Sequence, residues 1–191
     1  SGGTDVLSWT DNATATSVNK TGLTLTNGTT YYISVRATDN VGNVSAIATA
    51  DGITIDTDNP VLTTPIEGSL ATDIDYQNSG SELIIAWSGS DSTSSIALYE
   101  YALGVTPGGT GTVGWTSAGT ATADTLVFTI YQPLIEGVTY YLSVRATDVA
   151  GNMSAPDTAA GIPIDLTAPS ASTVSVGTGV DISYCGSGTT L

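Results

Sequence analysis

One stretch of the sequence occurs almost unchanged a second time. Residues 30–46, TYYISVRATDNVGNVSA, return as residues 139–155, TYYLSVRATDVAGNMSA, 109 positions later. Identical residues outside these two stretches, such as Gly52 and Gly161, are also separated by 109 positions, without an insertion or deletion. A period of this length exceeds the roughly 20 to 50 residues of solenoid repeats. It has the size of a whole domain, so the chain is expected to consist of copies of one domain-sized unit.

The repeat predicts three domain segments. Residues 57–165 make one complete copy of the unit. Residues 1–56 match the C-terminal part of a preceding copy, and residues 166–191 match the N-terminal part of a following copy. We therefore expect the sequence to be a window on a longer tandem array.

Within a copy, apolar residues recur at every second position. In residues 140–148, YYLSVRATD, the alternation is typical of a half-buried antiparallel strand. Residues 82–90, 96–104 and 125–131 also have strand patterns, and turns rich in Gly, Ser and Asn separate them. About seven strands per copy predict an all-β fold, an antiparallel β-sandwich without helices of note.

A tyrosine motif makes this prediction more specific. Leu134, Gly137 and Tyr140 stand in the spacing Leu-x-x-Gly-x-x-Tyr. The motif resembles the tyrosine corner of bacterial extracellular fibronectin type III-like and Ig-like tandem repeats of large surface proteins. The resemblance implies that the corner tyrosine joins the two sheets and that the tryptophan of the early strand IIAWS packs across the core. The core residues so implied are Tyr31, Tyr140, Trp87, Leu25 and Leu134.

Charge and composition exclude several classes of function. The chain has 18 acidic and three basic residues and a net charge of −15, which excludes nucleic acid and anionic membrane surfaces as partners. No apolar run approaches the roughly 18 residues of a membrane span. Histidine is absent, so a Ser-His-Asp triad is impossible, and the single Cys185 cannot form an intramolecular disulfide. Asp73 and Asp75 have a glycosidase-like spacing, but we interpret them as solvated acids. We therefore expect no enzyme and no catalytic residue.

Oxygen-bearing side chains are expected to gather at the junction before the complete copy. In the predicted topology, the loop before the last strand lies at the pole where the chain enters the domain, near the linker DTDNP. Asp, Asn and carbonyl oxygens are the ligands that Ca²⁺ prefers. Two interpretations stay open: Asp-x-x-Gly-Asn only forms a turn, or the junction holds an interdomain calcium site. The predicted ligands are Asp56, Asp58, Asp148 and Asn152.

These features favour a non-catalytic structural repeat of a long bacterial cell-surface or extracellular fibre or adhesin protein, which acts as a stiff spacer or stalk. Its expected partners are neighbouring repeats of the same chain or fibre, with a glycan or a protein on another cell as a further candidate. One alternative is an accessory glycan-binding module of a secreted enzyme, for which Trp9 and Trp115 are the candidate aromatic platforms. Another is a strand-exchanging subunit of an extracellular filament.

Overall fold

The structure is a computed structural model that describes residues 6–69 and 72–171. Cys185 and most of the predicted following unit lie outside the described residues. Within the described part of the chain, no helix has the length and hydrophobicity of a membrane span. The strands in chain order are β1 (Thr30–Tyr31), β2 (Ser34–Val35), β3 (Ala48–Thr49), β4 (Ile53–Thr54), β5 (Val61–Ser69), β6 (Thr72–Asp73), β7 (Glu82–Ser90), β8 (Ile96–Gly104), β9 (Val113–Gly119), β10 (Ala123–Val127), β11 (Thr139–Asp148), β12 (Asp157–Thr158) and β13 (Ile162–Pro163).

Strands β5 to β13 form two antiparallel sheets. One sheet has the order β10-β7-β5-β6. In the other, β9, β8 and β11 are neighbours, and β12 and β13 pair in succession along the free edge of β11. Side chains of both sheets meet in one core. The predicted all-β class with antiparallel sandwich architecture is therefore confirmed.

Aromatic side chains fill the centre of the core. The ring centroid of Trp87 lies 6.3 Å from that of Tyr99 and 5.6 Å from that of Tyr101. The polar ends of these rings are satisfied: Trp87 Nε1 donates to Ala121 O at 3.0 Å, and the Tyr101 hydroxyl donates to Asp124 Oδ2 at 2.8 Å. Burial, together with this bond to Asp124, raises the pKa of Tyr101 to about 12. Large rings thus fill the core without leaving a buried donor unpaired.

The tyrosine corner occurs in both copies of the motif. The hydroxyl of Tyr140 accepts the backbone N–H of Ile135 at 3.2 Å, and the hydroxyl of Tyr31 accepts that of Thr26 at 2.9 Å. The strand pairing recurs as well, because β1 pairs with β4 in the same register in which β11 pairs with β13, 109 residues later. The two copies therefore have equivalent local structure.

The two copies differ in burial, and this corrects one prediction. Leu25 is 37% exposed and Val35 is 61% exposed, whereas their counterparts Leu134 and Val144 are 2% and 0% exposed. Among the described residues, no sheet equivalent to β5, β7 and β10 covers the N-terminal copy. The prediction that Leu25 and Tyr31 are core residues is wrong for this structure, in which Tyr31 is only half-buried, because a sandwich residue is buried only by the opposite sheet.

Replacing Tyr140 by Phe tests the corner bond. The ring stays, but the N–H of Ile135 loses its acceptor, so we expect the free energy of unfolding to fall by about 0.5–1.5 kcal/mol. Urea denaturation followed by circular dichroism measures this loss. Tyr31→Phe is the matched control, since water can replace the hydroxyl there, and a change within about 0.5 kcal/mol is expected. Equal losses in both variants would contradict a role for burial at Tyr140.

Candidate functional site

The linker DTDNP, residues 56–60, is bound by a side chain that precedes it in the sequence. Asn27 lies next to the turn glycine of the first tyrosine corner, and its Oδ1 accepts the backbone N–H of Thr57 at 2.8 Å. The amide nitrogen of the same side chain donates to Asp58 Oδ2 at 2.8 Å. One asparagine therefore fixes two consecutive linker residues.

Two residues that follow the linker in the sequence also bind it. Ser92, in the loop after β7, donates its hydroxyl to Asp58 Oδ2 at 3.1 Å. Asn152, in the loop after β11, donates its side-chain amide to the backbone carbonyl of Asp56 at 3.2 Å. Asp58 Oδ2 thus accepts hydrogen bonds both from a residue that precedes the linker and from a residue that follows it.

Asp148 organises the loop after β11. Its Oδ1 accepts the backbone N–H groups of Gly151 and Asn152 at 2.6 and 2.8 Å, and its Oδ2 accepts the Asn152 side chain at 2.8 Å. Burial raises the pKa of Asp148, but these bonds outweigh burial and hold the pKa below its ordinary value. Asp39 and Asn43 form the same turn in the first copy. The predicted turn chemistry is therefore present at both positions.

Asp91 forms a similar turn after β7. Its Oδ1 accepts the backbone N–H groups of Ser94, Thr93 and Ser95 at 2.7, 2.9 and 3.3 Å. These bonds, led by that of Ser94, lower the pKa of Asp91, so the group is ionised at neutral pH. Sequence reasoning missed Asp91, and its only signal was an aspartate at the head of the serine-rich turn SDSTSS.

Three carboxylates converge where the linker meets these two loops. Asp56, Asp91 and Asp148 each present an oxygen, and these oxygens lie within 4.8 Å of one another. Asp56 Oδ2, Asp91 Oδ2 and the nearby Ser94 Oγ are buried and have no hydrogen-bond partner. Buried, unpaired carboxylate oxygens are costly and require an explanation such as an ion. The donor set consists of hard oxygen atoms and suits Ca²⁺.

The four predicted ligands do not all join this cluster. Asp56 and Asp148 contribute carboxylates to it. Asn152 positions both of them, because its amide nitrogen bonds Asp148 Oδ2 and the carbonyl of Asp56. Asp58 takes part in the linker bonds to Asn27 and Ser92.

Arginine side chains cover the two tryptophans considered as glycan platforms. The Arg145 guanidinium lies 4.4 Å from the ring centroid of Trp115, and its Nε donates to Glu100 Oε2 at 2.7 Å. Arg36 lies 4.5 Å from the ring centroid of Trp9. One face of each ring is therefore occupied by a cation.

Comparison with known proteins gives one substantial sequence likeness. No family model matches the chain. Over 167 residues the chain is 34% identical to Exoglucanase B of Cellulomonas fimi, a match that covers 83% of this chain and 14% of that protein. The chain therefore spans a small part of the relative's length.

Among solved structures, the chain overlaps loosely with the fibronectin(III)-like modules of CbhA from Clostridium thermocellum. The identity is 18% and the TM-score is 0.38, over 72% of this chain and 63% of that one. An overlap this loose supports no functional inference.

Replacing Asp58 by Ala tests the shared linker contact. Asn27 and Ser92 both lose their partner, so we expect faster internal motion of the linker amides, measured by ¹⁵N relaxation. Asp51→Ala removes an exposed acid of the same charge from the preceding unit and should leave linker relaxation unchanged. Unchanged linker relaxation in the Asp58 variant would show that the bonds do not restrain the linker.

Proposed function

We propose that this chain is an accessory, non-catalytic part of a larger secreted enzyme that acts on glucan, and that it serves there as a stiff spacer. The likeness to Exoglucanase B supports the enzyme context, since it extends over 83% of this chain but only 14% of that protein. The match therefore concerns one region of a much longer molecule. A stalk of a cell-surface protein would use the same mechanics, but this likeness favours the enzyme.

The observation that carries the spacer role is the bonded linker. A flexible connection needs a run of residues free of tertiary contacts, usually rich in Gly and Ser. Here Asn27 holds Thr57 and Asp58 from one unit, while Ser92 and Asn152 hold Asp58 and Asp56 from the other. Relative rotation of the units would have to break these bonds.

The proposed domain organisation is that of successive copies with bounds 1–56, 57–165 and 166–191. Recurring hydrogen bonds support it: Ser45 Oγ accepts the N–H of Ala37, and Ser154 Oγ accepts that of Ala146, both at 2.9 Å. The exposed apolar face of the first copy supports it further. A sheet equivalent to β5, β7 and β10, from another segment of the longer protein, would cover that face.

Direct glycan binding is a weaker proposal. Stacking on a sugar needs an open aromatic face, and Arg145 and Arg36 each occupy one face of Trp115 and Trp9. Trp115 is also only half-exposed. We expect the chain to pass through insoluble cellulose without retention, and retention that is lost in Trp115→Ala would favour a glycan-binding module instead.

Distance measurements between the two units test the spacer role. With one spin label on each unit, double electron–electron resonance should give a single narrow distance distribution, because the linker is bonded on both sides. Replacing residues 57–59 by Gly-Ser-Gly removes these bonds and should broaden the distribution. A distribution that is already broad in the unmodified linker would overturn the proposal.

Within this function we propose that the junction cluster binds Ca²⁺ through Asp56, Asp91 and Asp148, with Asn152 as the positioning residue. The unpaired buried oxygens of Asp56 and Asp91 support this role. The ion would offset two of the three negative charges of the neighbouring carboxylates and join the linker to both loops. Binding would therefore add stiffness to the junction.

Calorimetric titration with Ca²⁺ tests the site. We expect one binding event with a Kd no weaker than about 10⁻³ M, the range of extracellular modules. Asp91→Asn should weaken binding, because it removes one carboxylate ligand. Asp39→Asn alters the first-copy counterpart of the Asp148 turn, which lies outside the cluster, and is expected to have no effect on binding. The absence of heat at millimolar Ca²⁺, or an equal loss in both variants, would refute the site.

A further inference from the structure

Glu67 is a carboxylic acid inside the sandwich that the proposed function does not use. It is the one ionisable residue of β5 and is only 1% exposed. Its Oε1 accepts the backbone N–H of Leu142 on β11 at 3.3 Å. The side chain thus links a strand of one sheet to a strand of the other.

The bonded N–H lies at a gap in the second sheet. Along its free edge, β11 pairs with β13 at Thr139 and Tyr140, and with β12 at Ser143 and Val144. Leu142 falls between these pairings. Its carbonyl accepts the N–H of Ala159, while its own N–H is accepted by Glu67. Glu67 therefore accepts the buried N–H of Leu142, which the strand pairing leaves without a backbone acceptor.

The charges around Glu67 disfavour its ionised form. Asp73 on β6 is the neighbouring acid, and its Oδ1 accepts the backbone N–H of Glu67 at 3.1 Å. Arg145 lies on the outer face of β11, where it binds Glu100 and Trp115. Other ionisable groups on the elements packed against β5 are Glu82 at the exposed start of β7, Tyr140, Tyr141 and Asp148 on β11, and Asp157 on β12.

We propose that Glu67 is a proton-dependent latch between the sheets: the neutral carboxyl group stays buried between β5 and β11, whereas ionisation places an uncompensated charge in the core and favours separation of the two strands, even though the carboxylate is the stronger acceptor for Leu142. β5 begins at Val61, directly after the linker. The contacts of β5, the strand that follows the junction, would therefore be most stable in acid and less stable as the pH rises to neutrality. This effect does not depend on Ca²⁺ or on the enzyme context.

The pH window follows from the direction of the shift. Burial, with the charge of Asp73 adding to it, raises the pKa of Glu67 from 4.5 to about 7. A carboxyl group whose pKa is higher in the folded state stabilises most below pH 4.5, and this contribution declines as pH rises through 7. The chain has no histidine, and bonded acids such as Asp91 have lowered pKa values.

Urea denaturation between pH 5 and 8, followed by tryptophan fluorescence, tests the latch. The unfolding equilibrium constant of the unmodified chain should rise with pH, by at most about tenfold per pH unit, since one proton is involved. Glu67→Gln stays neutral and keeps an acceptor for Leu142, so its profile should be flat in this window. Asp73→Asn leaves Glu67 in place and should move the transition to lower pH. Parallel profiles for the unmodified chain and Glu67→Gln would overturn the proposal.

Two measurements on the unmodified chain distinguish a local effect of Glu67 from a change in the stability of the whole domain. They do not require that the Glu67→Gln variant folds. Carbon-13 NMR of the Glu67 carboxyl group should titrate well above the ordinary glutamate range, and a midpoint below pH 5 would refute the latch. Hydrogen exchange of β5 amides, corrected for intrinsic base catalysis, should accelerate from pH 5 to 7 relative to β7 and level off above pH 7. Equal acceleration in both strands would show that β5 is not released selectively.

Discussion

The structure depends on the burial of each sheet's apolar face by the opposite sheet. The two copies allow a comparison within one chain: the turns, the corner hydrogen bonds and the strand registers recur, yet Val144 is buried and Val35 is not. Local sequence is therefore sufficient for the hairpins and corners, and the second sheet is needed to bury their apolar face and form a domain core. With an alternating pattern, each strand has one face that is stable only against a partner.

Much of the fold was predictable because period-two alternation reports directly which side of a strand is buried. The predicted ranges 82–90 and 96–104 are the bounds of β7 and β8. The range 125–131 was wrong at both ends, since β10 spans residues 123–127. After the N–H of Phe128 bonds Ser81 O, the chain turns away from β7, although Phe128, Ile130 and Tyr131 are apolar or aromatic. Hydrophobicity alone does not show where a ladder of hydrogen bonds ends.

The junction was only partly predictable, for a different reason. Topology places Asp56 and Asp148 at one pole, and both join the carboxylate cluster. Asp91 was missed because its turn reaches that pole only through the length and direction of β7. Asp58 was assigned to the metal, whereas Asn27 and Ser92 bind it. Which partner each of the two linker aspartates contacts depends on tertiary packing, which spacing does not encode. Glu67 likewise gave no signal, because a single glutamate in a strand is usually exposed.

The parallel bridge between Gln77 and Ile164 has a mechanical consequence. Gln77 donates its N–H to Pro163 O at 3.0 Å and accepts the N–H of Asp165 at 2.9 Å, so an early segment of the sandwich is bonded to its final one. Tension that is transmitted to these two parallel segments, from the N-terminal side of Gln77 and the C-terminal side of Ile164, pulls them in opposite directions along their own axes. The bonds are then loaded in shear and must yield together, whereas a hairpin pulled from its open end unzips one bond at a time.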